Sequence, residues 1–135
     1  MATTINVSNG EKRIFDKTET LAAATTLKFN DTGKVFFLTA SAGFAVTLPD
    51  LRAGLNFKFI IGQAFATTDM TVTGGGAKIQ GTVIVNGASV LGENETTITF
   101  ANGAEKPGDF VELHCDGSNW FLSGVGSASS SITLA

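Results

Sequence analysis

The stretch Asp109-Phe110-Val111-Glu112-Leu113-His114-Cys115-Asp116-Gly117-Ser118-Asn119-Trp120-Phe121-Leu122-Ser123 decides the class of fold. Its first part alternates, so Val111, Leu113 and Cys115 share one side of an extended strand and Phe110, Glu112 and His114 share the other. Asp116-Gly117-Ser118-Asn119 supplies the residues of a tight turn, and Trp120-Phe121-Leu122-Ser123 returns as a second strand. This is a β-hairpin, with Trp120 near the start of the returning strand and packed over a neighbour.

The same signals recur upstream at short intervals, the pattern of a sandwich or barrel. Strands are expected at 26–30, 35–40, 45–48, 56–61, 70–73, 78–79, 82–85 and 96–100, besides the hairpin at 109–115 and 120–123. Turn formers separate them: Asp31-Thr32-Gly33, Ala42-Gly43, Pro49-Asp50, Gly74-Gly75-Gly76, Asn86-Gly87, Asn102-Gly103 and Asp116-Gly117. Helix signals are nearly absent, although Leu21-Ala22-Ala23-Ala24 could form one turn before Thr25 and Thr26 weaken the propensity. No repeat of fixed period is evident. The expected fold is all-β: an antiparallel β-sandwich or jelly-roll-like barrel with extended N- and C-terminal arms. Its parts are an N-terminal arm at 1–25, a β-sandwich domain at 26–124 and a C-terminal tail at 125–135. The two ends read equally as frayed termini or as arms that order against a partner.

Two strands break the alternation. Val35-Phe36-Phe37-Leu38 is apolar on both sides, and Phe57-Lys58-Phe59-Ile60-Ile61 nearly so. Both sides are expected to be covered, by a second sheet and a loop or by a neighbouring subunit. Charged residues are only 16% of the 135 residues and apolar ones 43%, which also points to surface hidden against a partner.

Composition narrows the function. The net charge is −3 and the basic residues are scattered, so there is no basic face for nucleic acid. No apolar run is long enough to span a membrane. The start of the chain lacks the basic segment and apolar run of a signal peptide. A single cysteine, Cys115, excludes an intrachain disulfide.

No catalytic or cofactor site is expected. His114 is the only histidine, and it points away from its neighbour Cys115, so the two make no nucleophilic pair. They are also too few to hold zinc. Asp31, Asp50, Asp116 and Asn119 sit in turns, none with the spacing of a calcium loop. The Thr73-Gly74-Gly75-Gly76-Ala77-Lys78 segment lacks the second half of a phosphate loop. Glu93 and Glu95 flank Asn94 in an expected loop and are weak candidates for acid–base work.

One resemblance bears on function. The order "VTLP" (46–49), "AGLNFKFIIG" (53–62), "TVTGGGAKIQG" (71–81) and "GDFVELHCDGSNWFLSG" (108–124) resembles small β-domains of tailed-phage virion proteins, over roughly residues 35–124. The closing "GDFVEL…DGSNW" is its most telling part. The resemblance implies a capsid decoration (cement) protein, a homotrimer at three-fold positions of the head, exposed on the virion and touching the major capsid protein. It carries no catalytic residues. On this reading Phe36, Leu38, Phe57, Phe59 and Trp120 would form the subunit interface. Ile5, Val7, Lys12, Arg13 and Lys17 would form a capsid-binding arm. The alternative is a tail-fibre, head-fibre or baseplate β-domain that binds a receptor or carbohydrate. A chain starting at Met1 without heptads is expected to be a free-standing decoration protein rather than a fibre tip.

Overall fold

Polar turn residues send the chain back and forth between two sheets, and the strands follow from that traffic. In the computed structural model, residues 3–6, 12–15, 17–74 and 76–135 are described. The strands are β1 (Thr3–Asn6), β2 (Lys12–Phe15), β3 (Thr18–Leu21), β4 (Thr25–Thr26), β5 (Val35–Leu38), β6 (Ala45–Thr47) and β7 (Asn56–Ile61). They continue as β8 (Met70–Thr73), β9 (Ile79–Val85), β10 (Ala88–Glu95), β11 (Thr97–Phe100), β12 (Phe110–Cys115), β13 (Trp120–Gly126) and β14 (Ile132–Leu134). A 3-10 turn, Phe29–Asp31, sits where the expected strand at 26–30 breaks off.

A seven-stranded sheet has the order β10-β9-β13-β12-β7-β5-β3, and a five-stranded sheet the order β14-β11-β8-β6-β4. Together they form a β-sandwich around one apolar core. β1 and β2 pair with each other in a separate two-stranded sheet.

The sandwich is mixed rather than antiparallel. Between β3 and β8 the chain alternates sheets, so β3, β5 and β7 lie parallel in one and β4, β6 and β8 parallel in the other. Parallel neighbours need a crossover, and each crossover here is a strand of the opposite sheet. The antiparallel pairing expected from the hairpins holds later: β12 joins β7 and β13, and β11 joins β8 and β14. One more parallel pair, β13 with β9, links the last hairpin to the β9–β10 hairpin.

The expected boundaries also move. Residues 18–21 and 25, assigned to the arm, belong to β3 and β4 in the sheets. The expected C-terminal tail is not an arm: β13 runs on to Gly126 and β14 pairs with β11. Ile132 is 1% exposed. Leu21 ends β3 and opens no helix. The expected strands at 78–79 and 82–85 are one strand, β9, and the loop expected around Asn94 is the bulged end of β10. Gly75, centre of the expected glycine turn, lies outside the described residues.

Alternation fills the core. Phe36, Leu38, Phe57, Phe59, Ile61, Val111, Leu113, Trp120 and Leu122 enter from the larger sheet, and Val46, Met70, Val72, Ile98, Phe100 and Ile132 from the smaller. The aromatic centre is held by the β5–β7 register, which places Phe36 beside Phe59. Those rings stack at 5.5 Å, and Phe57 lies 5.9 Å from Trp120. Aromatic pairs in such offset arrangements add to what burial alone provides.

Candidate interaction surface

The residues first expected to meet another subunit lie in the core of one chain. Phe36, Leu38, Phe57, Phe59 and Trp120 are all 0–1% exposed. Period-two alternation therefore hands the outer side of the same strands to their neighbours in sequence. The pair of doubly apolar strands reads accordingly: one side is core, and the other is half-buried Val35, Phe37, Lys58 and Ile60.

The strand registers place these outward residues in rows. Ile84 of β9 is level with Val125 of β13, Val125 with Phe110 of β12, Phe110 with Ile60 of β7 and Ile60 with Phe37 of β5. An apolar row thus crosses the outside of the seven-stranded sheet. The next row runs Leu91, Thr82, Ser123, Glu112, Lys58 and Val35. Beyond it Phe121 is level with His114. Leu91 is 63% exposed, Phe121 46%, Val125 45% and Ile84 42%. Scattered exposed apolar residues are ordinary, whereas a contiguous patch marks an interaction site.

The charged groups on this face are few and adjacent. Glu112 of β12 is level with Lys58 of β7. The Lys58 ammonium lies over the Phe110 ring, 4.6 Å from its centre. His114 Nε2 is 3.0 Å from Glu112 Oε1.

The outside of the five-stranded sheet is different in kind. Thr97 is level with Thr73 and Thr99 with Thr71, Thr47 with Thr73, Thr26 with Thr47 and Thr133 with Thr99. Threonine suits an exposed strand, since its branched carbon favours the extended backbone and its hydroxyl keeps water. The two outer faces thus differ: threonine lines one and an apolar row crosses the other.

Elsewhere the polar residues hold loops together. Glu105 is 2% exposed, and its Oε1 accepts the Phe65 N–H at 2.8 Å, tying the 101–109 loop to the 62–69 loop. Asp109, also buried, accepts from Lys106 N–H at 2.9 Å and Ser127 N–H at 3.0 Å. Asp69 accepts the Asn102 N–H at 2.9 Å. Asp116 Oδ1 accepts the N–H groups of Ser118 and Asn119 at 2.8 Å each, the expected turn. The Asn119 and Ser118 donors hold the Asp116 carboxyl below the usual carboxylate range.

Cys115 is buried and His114 points outward, as strand alternation requires. Glu95 bends back to accept the Glu93 N–H at 3.2 Å, a local contact within the bulged end of β10. No group of His, Cys, Asp and Glu side chains able to hold a metal occurs among the described residues. A groove of about 410 Å³ at the β4–β6 edge is lined by Leu27, Lys28, Phe29, Leu48, Pro49 and Asp50 among others.

Of the expected capsid-binding residues, Ile5 lies in β1 and Lys12 and Arg13 in β2. Val7 lies outside the described residues. Lys17 belongs to the sandwich, where its carbonyl accepts the Val35 N–H at 2.8 Å. No helix among the described residues is long and apolar enough to cross a membrane. No family model, curated protein or solved structure matches the chain.

Proposed function

We propose that this chain is a structural protein of a tailed-phage particle, a head decoration protein that sits as a trimer at three-fold positions of the capsid and stabilises it. The observation that carries the reading is the apolar row across the larger sheet. It supports a molecule that works by what it packs against, and it joins the resemblance of residues 35–124 to virion β-domains. Glu105 Oε1 and both Asp109 oxygens accept loop N–H groups, a structural use that supports this reading.

The β1–β2 hairpin is the proposed contact with the major capsid protein. A two-stranded sheet is marginal in water by itself, which suits a segment that gains its partner on binding. Three such hairpins in one trimer would grip neighbouring capsid subunits through avidity.

The test is co-sedimentation with expanded, undecorated phage heads. Saturable binding that makes the heads more resistant to heat is expected. Deletion of residues 2–15 removes that binding and leaves the sandwich folded, because β3 begins at Thr18. Failure of the intact protein to bind heads, with specific binding on a glycan array, would transfer the assignment to a fibre or baseplate domain.

A further inference from the structure

Where the two sheets of the sandwich end, their outermost strands pair on one side only. These strands are β10 and β3 in the larger sheet and β14 and β4 in the smaller. Three of them are blunted by length: β3 has four residues, β14 three and β4 two. Short edges guard a sheet against pairing with other chains. β10, Ala88–Glu95, has eight residues. We propose that β10 is a docking edge, which takes an extended segment of a partner protein as an added strand.

The register fixes which groups this edge offers. Asn86 and Gly87 hold φ at +50° and +80°, the two-residue hairpin turn that makes Val85 and Ala88 a hydrogen-bonded pair. Such pairs alternate along an antiparallel ladder, so Ala88, Val90 and Gly92 turn their backbone groups to Val85, Val83 and Gly81 of β9. The phase agrees with Asn86, whose N–H turns to the other side and donates to the Gly126 carbonyl of β13 at 2.9 Å. Ser89 and Leu91 therefore direct their N–H and C=O groups to the open side. The next N–H, of Glu93, is taken by Glu95 Oε1 at 3.2 Å, at the bulge between Gly92 and Glu95. The usable edge is thus the regular part before the bulge, with its free backbone groups two residues apart, as an incoming strand needs.

Side chains of that strand also find a place. A groove of about 390 Å³ runs between β10 and β14, lined by Val85, Ala88, Val90, Ile132 and Leu134 among others, none of them charged. It closes at Gly92, where an added methyl would lie 2.8 Å from Leu134 Cδ1. An added strand sends alternate side chains to one side. Those facing the smaller sheet enter the groove, which favours apolar residues at every second position. The others face outward beside Leu91.

Charge sets the direction. Glu93 and Glu95 stand at the bulged end of the edge, and neither is ion-paired among the described residues. The Asn86-Gly87 end carries no charge. Antiparallel addition brings the N-terminal part of the segment to the two carboxylates. The fitting partner therefore leads with basic residues and continues as alternating apolar and polar ones. This edge is separate from the apolar row and from the β1–β2 hairpin, so it stands or falls apart from the virion role.

The experiment titrates the intact protein with short synthetic peptides in which a pair of lysines precedes threonine alternating with valine, isoleucine or leucine. Saturable binding is expected by NMR, with slowed hydrogen exchange at the Ser89 and Leu91 amides. N-methylation of alternate peptide amides keeps the side chains, removes the backbone donors and should abolish binding. Leu91→Pro removes an outward N–H and spares the ladder with β9; it should weaken binding by about tenfold, the loss of one well-placed hydrogen bond. Exchanging the lysines for glutamates should weaken it too, most strongly at low salt. Should Leu91→Pro fail to fold, the methylated peptides on the unaltered protein make the same test. No saturable binding by any peptide of the set overturns the proposal, as does binding that survives N-methylation or protects amides elsewhere. A lower mass for Leu91→Pro in light scattering, with no peptide bound by the intact protein, assigns the edge to a second copy and overturns it as well.

Discussion

At the scale of single residues, the sharpest constraint is Gly81. It holds φ at +138°, where a side chain is strained, and a methyl group there would strike the backbone of Leu122 on the parallel neighbour β13. Gly81→Ala is expected to lower stability by roughly 3 kcal/mol in a urea melt, from strain and overpacking together. Trp120 makes the opposite case, a large ring with no exposed surface. Trp120→Ala should cost about 3–5 kcal/mol on the same measurement. The ion pair of Lys34 with Asp31 (2.9 Å) and Glu19 (3.2 Å) contributes to the pH response. Burial works to raise the Asp31 carboxyl, but hydrogen bonds from the Lys28 N–H and the Lys34 ammonium outweigh it and hold the group below its ordinary value. The hydrogen bond to Asp31 raises Lys34 despite its partial burial. Stability from Asp31 is therefore full above the unfolded carboxylate pKa of about 3.9 and lost as pH falls through the lower folded value. Stability from Lys34 is full below about pH 10.4 and lost as pH rises through its higher folded value. Thermal melts across pH should show both limbs, and Asp31→Asn should flatten the acid one.

At the scale of elements, connections matter more than individual strands. Glu105 ties two loops by one hydrogen bond to a buried amide, Phe65. Glu105→Ala leaves that N–H without its acceptor and should cost about 1–3 kcal/mol, whereas Glu105→Gln keeps an acceptor oxygen and should cost less. Faster hydrogen exchange at the Phe65 amide in the alanine variant would tie the loss to this bond. The C-terminal strand is a second case. β14 covers the core edge with Ile132, and the Ala135 carbonyl accepts the Thr96 and Thr97 N–H groups at 2.7 Å each. Its end composition of small residues reads as a loose tail because the cue is local, while the pairing with β11 is set far away in sequence. Removing residues 131–135 should therefore destabilise the sandwich by at least the burial of Ile132, roughly 2 kcal/mol, a difference that paired melts would read.

At the scale of the whole molecule, the decisive feature is the asymmetry between two outer faces. Threonine rows line the outside of one sheet, and a row of Ile84, Val125, Phe110, Ile60 and Phe37 crosses the outside of the other. An assembly that buries this row links stability to concentration by mass action. The thermal midpoint of the intact protein should therefore rise with protein concentration, and that of an Ile84→Lys, Val125→Lys variant should not. A capsid would add a second partner at the β1–β2 hairpin, read by binding to heads rather than by mass in solution.

The sequence alone determined the all-β class, the last hairpin, the Asn86-Gly87 turn and the opposite orientation of His114 and Cys115, because period-two alternation and turn chemistry are local. It also marked Val35-Phe36-Phe37-Leu38 and Phe57-Lys58-Phe59-Ile60-Ile61 as apolar on both sides. Which side is core and which faces outward was decided only by tertiary structure, since alternation gives two sides without naming either. The parallel pairing of β3, β5 and β7 was likewise beyond local reading. A strand carries the same pattern whichever neighbour it meets, and only the chain's path through the opposite sheet turns those neighbours parallel. The apolar row exists only across strands, assembled by register from residues scattered between Phe37 and Val125.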